Sequence, residues 1–179
     1  MPALDFREIP RANGSNGQQD TFELLAKEFF RLLNMRIIIG PDRGQDGGRD
    51  LIVEEQRQGV LGTTVFKWLV SCKHKAHSCK SVLDSDEQDI TDRVCSHGAK
   101  GFIGFYSTLP SSGLSSKLER LKQKRLLDYK IFDSSDIEAA LLDNAKGVKI
   151  AKRYFPISYA KWKHDSKFQT TFIRQHTIV

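Results

Sequence analysis

The sequence holds three cysteines, Cys72, Cys79 and Cys95. An odd number with no secretory pattern argues against a disulfide framework. No apolar run approaches the roughly 18 residues that a membrane-spanning helix needs, so no membrane partner is expected. The opening segment, MPALDFREIPR, lacks the basic-then-apolar layout of a signal peptide, and a reducing cytosol is expected. Neither an internal repeat nor a low-complexity tract occurs, which excludes a solenoid.

What is present fits one packed domain. Hydrophobic residues make up 39% of the 179, enough for a real core without staples. The formal net charge is +6, which favours an acidic partner such as nucleic acid. That charge is uneven. The first 116 residues hold 14 basic and 15 acidic side chains; from Lys117 onward there are 14 basic and 7 acidic. The basic surface is therefore expected in the C-terminal third, and the carboxylates that a metal site needs in the first two thirds.

Pattern divides the chain into three parts. Residues 1–19 carry Pro2, Pro10, Gly14 and Gly17 without periodicity and read as a loose N-terminal arm. Residues 20–145 read as an α/β domain, and 146–179 as a basic and aromatic extension packed on it. Asp20 opens a helix in which Phe22, Leu25, Ala26, Phe29 and Leu33 recur at helical spacing, with Asn34 ending it. Strands are expected at Met35–Ile39, Asp50–Glu54 and Val65–Lys73, with a polar turn near Gln56–Gly62. A helix over Asp86–Ser96, a buried strand over Gly101–Ser107 and a basic helix over Leu114–Leu127 follow. A short strand at Lys130–Phe132 and a helix from Ser134 through Leu142 complete the order. That order predicts a mixed β-sheet flanked by helices.

Two short motifs carry the chemistry. Asp46-Gly47-Gly48-Arg49-Asp50 delivers an aspartate from a glycine-bearing loop to a strand start. Ser71-Cys72-Lys73 puts a lysine at the end of the next strand. A carboxylate beside an ammonium group suits phosphodiester hydrolysis: the carboxylate can hold a divalent cation, and the lysine can orient or deprotonate a water. The bland reading of each alone is a turn aspartate and a solvated strand-end lysine. Asp46 reads as a loop-shaping residue. Glu23 has two readings, the third-position partner of a capping box or a carboxylate facing the metal.

In their order, these motifs resemble the Mrr-type restriction endonuclease domain, a branch of the PD-(D/E)xK nucleases. The likeness runs from Thr21 to Leu142. It rests on Phe22-Glu23 in the first helix, Gln45–Asp50, Leu69–Lys73, Gly98–Thr108, and the closing Ile131–Asp133 and Asp136–Leu142. The resemblance implies a restriction-endonuclease-like fold and a Mg²⁺- or Mn²⁺-dependent enzyme that cuts double-stranded DNA in restriction or defence. It implies Asp50, Lys73 and Glu23 as catalytic residues, with Asp50, Glu23 and the backbone carbonyl of Cys72 as metal ligands. A homodimer and a specificity or activator partner are implied as well. One position departs: Ser71 stands where the family has Glu or Gln. The rival reading is therefore a catalytically degenerate nucleic-acid-binding or assembly module of the same fold.

The remaining polar clusters are less specific. Cys72, His74, His77 and Cys79 lack zinc-finger spacing, and the expected reading is a core cysteine beside a DNA-facing loop of His74, Lys75, His77 and Lys80. Lys117, Arg120, Lys122, Lys124 and Arg125 on the basic helix are further phosphate candidates. So are Lys149, Lys152, Arg153, Lys161, Lys163 and Lys167, which flank Tyr154, Phe155, Tyr159 and Trp162.

Overall fold

The computed structural model describes residues 2–11, 20–41 and 50–165. The loop residues Asp46–Arg49 and the tail that includes Lys167 lie outside the described residues.

Helix α1 spans Thr21–Leu32. Its cap is Asp20, whose Oδ1 accepts from the Phe22 amide at 2.7 Å and the Glu23 amide at 3.4 Å. Asn34 ends it in the left-handed region (φ 61°), where the Met35 amide closes back onto the Phe30 carbonyl at 2.9 Å. Phe22, Leu25, Ala26, Phe29 and Phe30 form its buried stripe.

Five strands follow: β1 Arg36–Ile39, β2 Leu51–Gly59, β3 Gly62–Lys73, β4 Gly101–Tyr106 and β5 Asp128–Phe132. They lie in the sheet in chain order. β1–β2 and β2–β3 pair antiparallel, and β3–β4 and β4–β5 pair parallel. The sheet is mixed and flanked by helices, as expected. β4 is buried along its whole length, which explains its unbroken apolar run. The polar turn expected over Gln56–Gly62 is instead a hairpin arm. β2 and β3 stay paired down to Gly59↔Gly62, and only Val60 and Leu61 connect them. The arm is exposed, so no apolar face marked it as strand.

The parallel crossovers carry α2, Ile90–Ser96, and α3, Ser112–Gln123. The helix expected over Asp86–Ser96 is split: Asp84–Asp86 is a 3₁₀ turn, and Asp89 sits at φ 49° just before α2. The basic helix is shorter than expected and is followed by Arg125 at φ 57°. Helix α4, Ser134–Leu142, follows β5; then come α5, Ala145–Tyr154, and a helical stretch over 156–165. No helix among the described residues is long and apolar enough to cross a membrane.

Alternation along the strands makes two cores. Leu51, Val53, Trp68, Val70, Ile103 and Phe105 face α1, α4 and α5. Ile52, Leu69, Phe102 and Tyr106 face α2 and α3. The first core is aromatic: Phe29 lies 5.2 Å from Phe105 and 5.1 Å from Phe132, and Phe22 lies 5.0 Å from Phe105. The N-terminal segment is not loose where it is described. A 3₁₀ turn over Phe6–Glu8 buries Leu4, Phe6 and Ile9 in this same core. Its spacing is too short and irregular to register as periodicity.

Because Phe105 is fully buried and joins three ring contacts, Phe105→Ala should cost about 3–5 kcal/mol. Urea unfolding checks this; a loss below about 1 kcal/mol would mean the aromatic layer is not the main core.

Candidate active site

The site forms where β2 begins and β3 ends. The last ladder pair is Leu51↔Val70, and the Asp50 amide still donates to the Val70 carbonyl at 3.1 Å. Asp50 is thus carried one residue past the ladder, beside Ser71 and Cys72. Its Oδ2 accepts from the Cys72 amide at 2.5 Å. This bond joins the two sequence motifs. Ser71 and Lys73, two residues apart, share the sheet face of Leu69.

Glu23 stands in the first turn of α1, beside Phe22, whose ring stacks on His74, the residue after Lys73. The Cys72 thiol is pushed well above its ordinary range, first by burial and then by the negative charges of Asp50, Glu23 and Asp20. The charges of Asp50, Glu23 and Asp20 thus act together on this thiol, with the Lys73 charge acting against them. The thiol stays protonated at neutral pH, which suits a packing residue and not a nucleophile or metal ligand. No group of three or more His, Cys, Asp or Glu side chains that could hold a metal converges among the described residues. Any divalent ion here would rest on two carboxylates, backbone oxygen and water, a hard oxygen set that magnesium accepts.

Ser71 is fully buried and its Oγ has no hydrogen-bond partner among the described residues. Its parallel neighbour is Gly104. A methyl group at Gly104 would collide with the Tyr106 ring, so glycine is what lets that ring fold back across the sheet. The Tyr106 hydroxyl then donates to Glu87 Oε1 at 3.0 Å, and Arg93 pairs with Glu87 Oε2 at 2.8 Å. Burial, then the Glu87 charge, pushes the Tyr106 phenol well up. Glu87 is a fully buried carboxylate satisfied by a phenol and a guanidinium.

The loop after β3 departs from the expected DNA-facing role. His74 and His77 both turn Nε2 onto the Ile9 carbonyl, at 2.9 and 2.8 Å. His74 also stacks on Phe22 with ring centroids 4.9 Å apart. They fasten the N-terminal segment instead of facing outward. Lys75 pairs with Asp86, whose carboxyl, despite burial, is held below its usual range by Lys75 and further by Lys73. Of these four candidates only Lys80 is exposed. The loop itself is pinned by Ser107, whose Oγ accepts from the Lys75 amide at 2.8 Å and the Ala76 amide at 3.0 Å. Ser107 lies within the Gly98–Thr108 motif, but its role, like that of Asp86, shows only where the folded loop brings both to Lys73.

Lys122, Lys124 and Arg125 are not brought to the site. The site lies at the C-terminal ends of β3 and β4, where α3 begins. Twelve helical residues carry the chain back about 18 Å to the start of β5. All three side chains are exposed at that far end.

Ser107→Ala orphans two amide donors and should lower stability by about 1–3 kcal/mol. Denaturant unfolding measures this, and an unchanged midpoint would show that water or another acceptor replaces the hydroxyl.

No family model and no curated protein matches the chain. Solved structures do. The DNA modification-dependent restriction endonuclease AspBHI superposes with a TM-score of 0.56 at 14% identity, over 79% of this chain and 33% of that one. The MspJI restriction endonuclease in complex with a 27-mer oligonucleotide gives a TM-score of 0.45 at 20% identity, over 74% and 29%. The chain thus spans about a third of the length of these endonucleases. The AspBHI likeness establishes a restriction-endonuclease-like fold: a mixed five-stranded sheet flanked by helices.

Proposed function

We propose that the chain is a metal-dependent DNA endonuclease domain of the Mrr-like PD-(D/E)xK type, acting on double-stranded DNA in restriction or defence. The observation that carries this reading is the Asp50–Cys72 bond, which puts a carboxylate against the strand end that bears Lys73, with the Glu23 charge beside it. Asp50, Glu23 and the Cys72 carbonyl would hold Mg²⁺ or Mn²⁺. Such an ion polarises a phosphoryl oxygen and lowers the pKa of bound water. Asp50 is held in place by the Cys72 amide, so its carboxylate needs no reorganisation when a phosphate arrives. Lys73 would orient the attacking water or take its proton, and its ammonium form would steady charge building on the phosphate. Target choice would come from elsewhere: a specificity or activator partner, or a second copy in a homodimer.

Ser71 favours a second reading. A hydroxyl buried without a partner, where the resemblance implies a second carboxylate, fits a module that binds DNA without cutting it. Plasmid cleavage separates the two. With Mg²⁺ or Mn²⁺ the wild type should nick or linearise the plasmid. Asp50→Ala and Lys73→Ala should each lose at least 100-fold, about 2.7 kcal/mol of transition-state stabilisation, and EDTA should abolish cleavage. DNA binding with no cleavage in either metal would count against a domain that cuts unaided and leave the non-cutting module or a missing activator, with Ser71→Glu the next variant to assay.

A further inference from the structure

We propose that α5 and the helical stretch 156–165 form a second contact for the DNA backbone, continuous with the candidate site. This deepens the DNA reading above and rests on it.

The first observation is charge left unneutralised. Between residues 145 and 165 stand six Lys or Arg and one acid, Asp165. Lys146, Lys149, Lys152, Lys161 and Lys163 are all exposed, and none takes part in an ion pair among the described residues. The sixth, Arg153, pairs with Glu28 at 2.6 Å. Other cations without an ion pair, such as Lys67, Lys80 and Lys100, stand apart in the chain, whereas these five fall within 18 residues and face one acid. An unpaired row of ammonium groups attracts a polyanion and releases its counterions on binding.

The second is shape. Lys152, Pro156, Tyr159, Ala160, Lys163 and His164 line a depression of about 430 Å³. From Pro156 on their numbers recur at helical spacing, and the shared depression brings Lys152 to them across the break at Phe155. Its surface is mainly apolar, with Lys152, Lys163 and His164 supplying the polar lining. Sugar and base faces can rest on such a surface while phosphates meet the ammonium groups.

The third is continuity. Glu8 accepts from the amides of Ile157 and Ser158 at 2.8 Å each, fixing the start of the 156–165 stretch. The next residue, Ile9, offers the carbonyl that His74 and His77 grip. His74 directly follows Lys73. Phe155 meanwhile packs 4.9 Å from Phe6. A chain of contacts therefore links the start of the 156–165 stretch to the residue after Lys73, whereas α3 ends at the opposite end of the parallel strands. An anionic bilayer is the weaker occupant. Membrane docking needs an apolar helix face; the apolar face of α5, Ile150 and Ala151, is buried in the core, and Ile157 is the one large apolar side chain exposed between residues 145 and 165.

The test is binding of a short labelled duplex by fluorescence anisotropy across a salt series. It uses Mg²⁺-free buffer with wild type, Lys152→Gln/Lys163→Gln and Lys124→Gln/Arg125→Gln. The expected result is a log K against log salt slope shallower by about 0.9 for each phosphate no longer neutralised, so about 1.8 in the first double variant. The second variant should match wild type, and thermal unfolding should be unchanged in both. Wild-type binding with an unaltered slope in Lys152→Gln/Lys163→Gln overturns this second DNA contact and leaves the DNA reading standing. So does an equal loss in the α3 variant, which would mark a bulk-charge effect. No wild-type binding to duplex overturns the DNA reading itself. Binding to phosphatidylserine vesicles in place of duplex overturns the proposal in favour of a membrane.

Discussion

The hydrogen bond from the Cys72 amide to Asp50 holds the candidate site together. β2 and β3 run antiparallel, so the residue that enters the sheet at Leu51 and the residue that leaves it at Lys73 meet at one corner. The β3–β4 pairing is parallel, so the same corner receives the C-terminal end of β4 and the loop that Ser107 pins. Helix α1 reaches that corner with its first turn, bringing Glu23 and the stacked Phe22. Shifting the β2–β3 register by one residue would turn Asp50 to the other face and separate all of these groups.

The corner costs the fold something, and the surrounding structure offsets it. Carboxylates cluster around a buried thiol. Close by, the fully buried Glu87 is neutralised by Arg93 and Tyr106, and the Ser71 hydroxyl has no partner among the described residues. The aromatic layer of Phe22, Phe29, Phe30, Phe105 and Phe132 lies on the opposite side of the sheet from Glu87. A rigid apolar core beside a buried polar edge is the usual arrangement for a functional site, because packing holds groups where their own solvation would not.

Much of this was legible in the sequence. The helix from Asp20 showed because its cap and its apolar stripe agree, and β4 showed because a strand covered on both faces has no polar positions. Asp50 and Lys73 could be paired because a turn between adjacent strands returns the chain on itself. What was not legible depends on long-range contacts. The hairpin arm has no buried face to give it a period. His74 and His77 looked outward-facing because nothing local shows that Ile9, 65 and 68 residues earlier, supplies their acceptor. The basic residues after Gln123 looked equivalent to those after Asn144 until the parallel strands put the first group at the end of the sheet away from Lys73.

The most direct test of the central claim places the metal by resonance. In a ¹⁵N-labelled sample titrated with Mn²⁺, paramagnetic broadening should strike the amides of Asp50, Cys72, Lys73 and Glu23 first, and Asp50→Asn should abolish the effect. Broadening that begins instead at scattered surface carboxylates such as Asp128 or Asp143, and survives Asp50→Asn, would contradict the account.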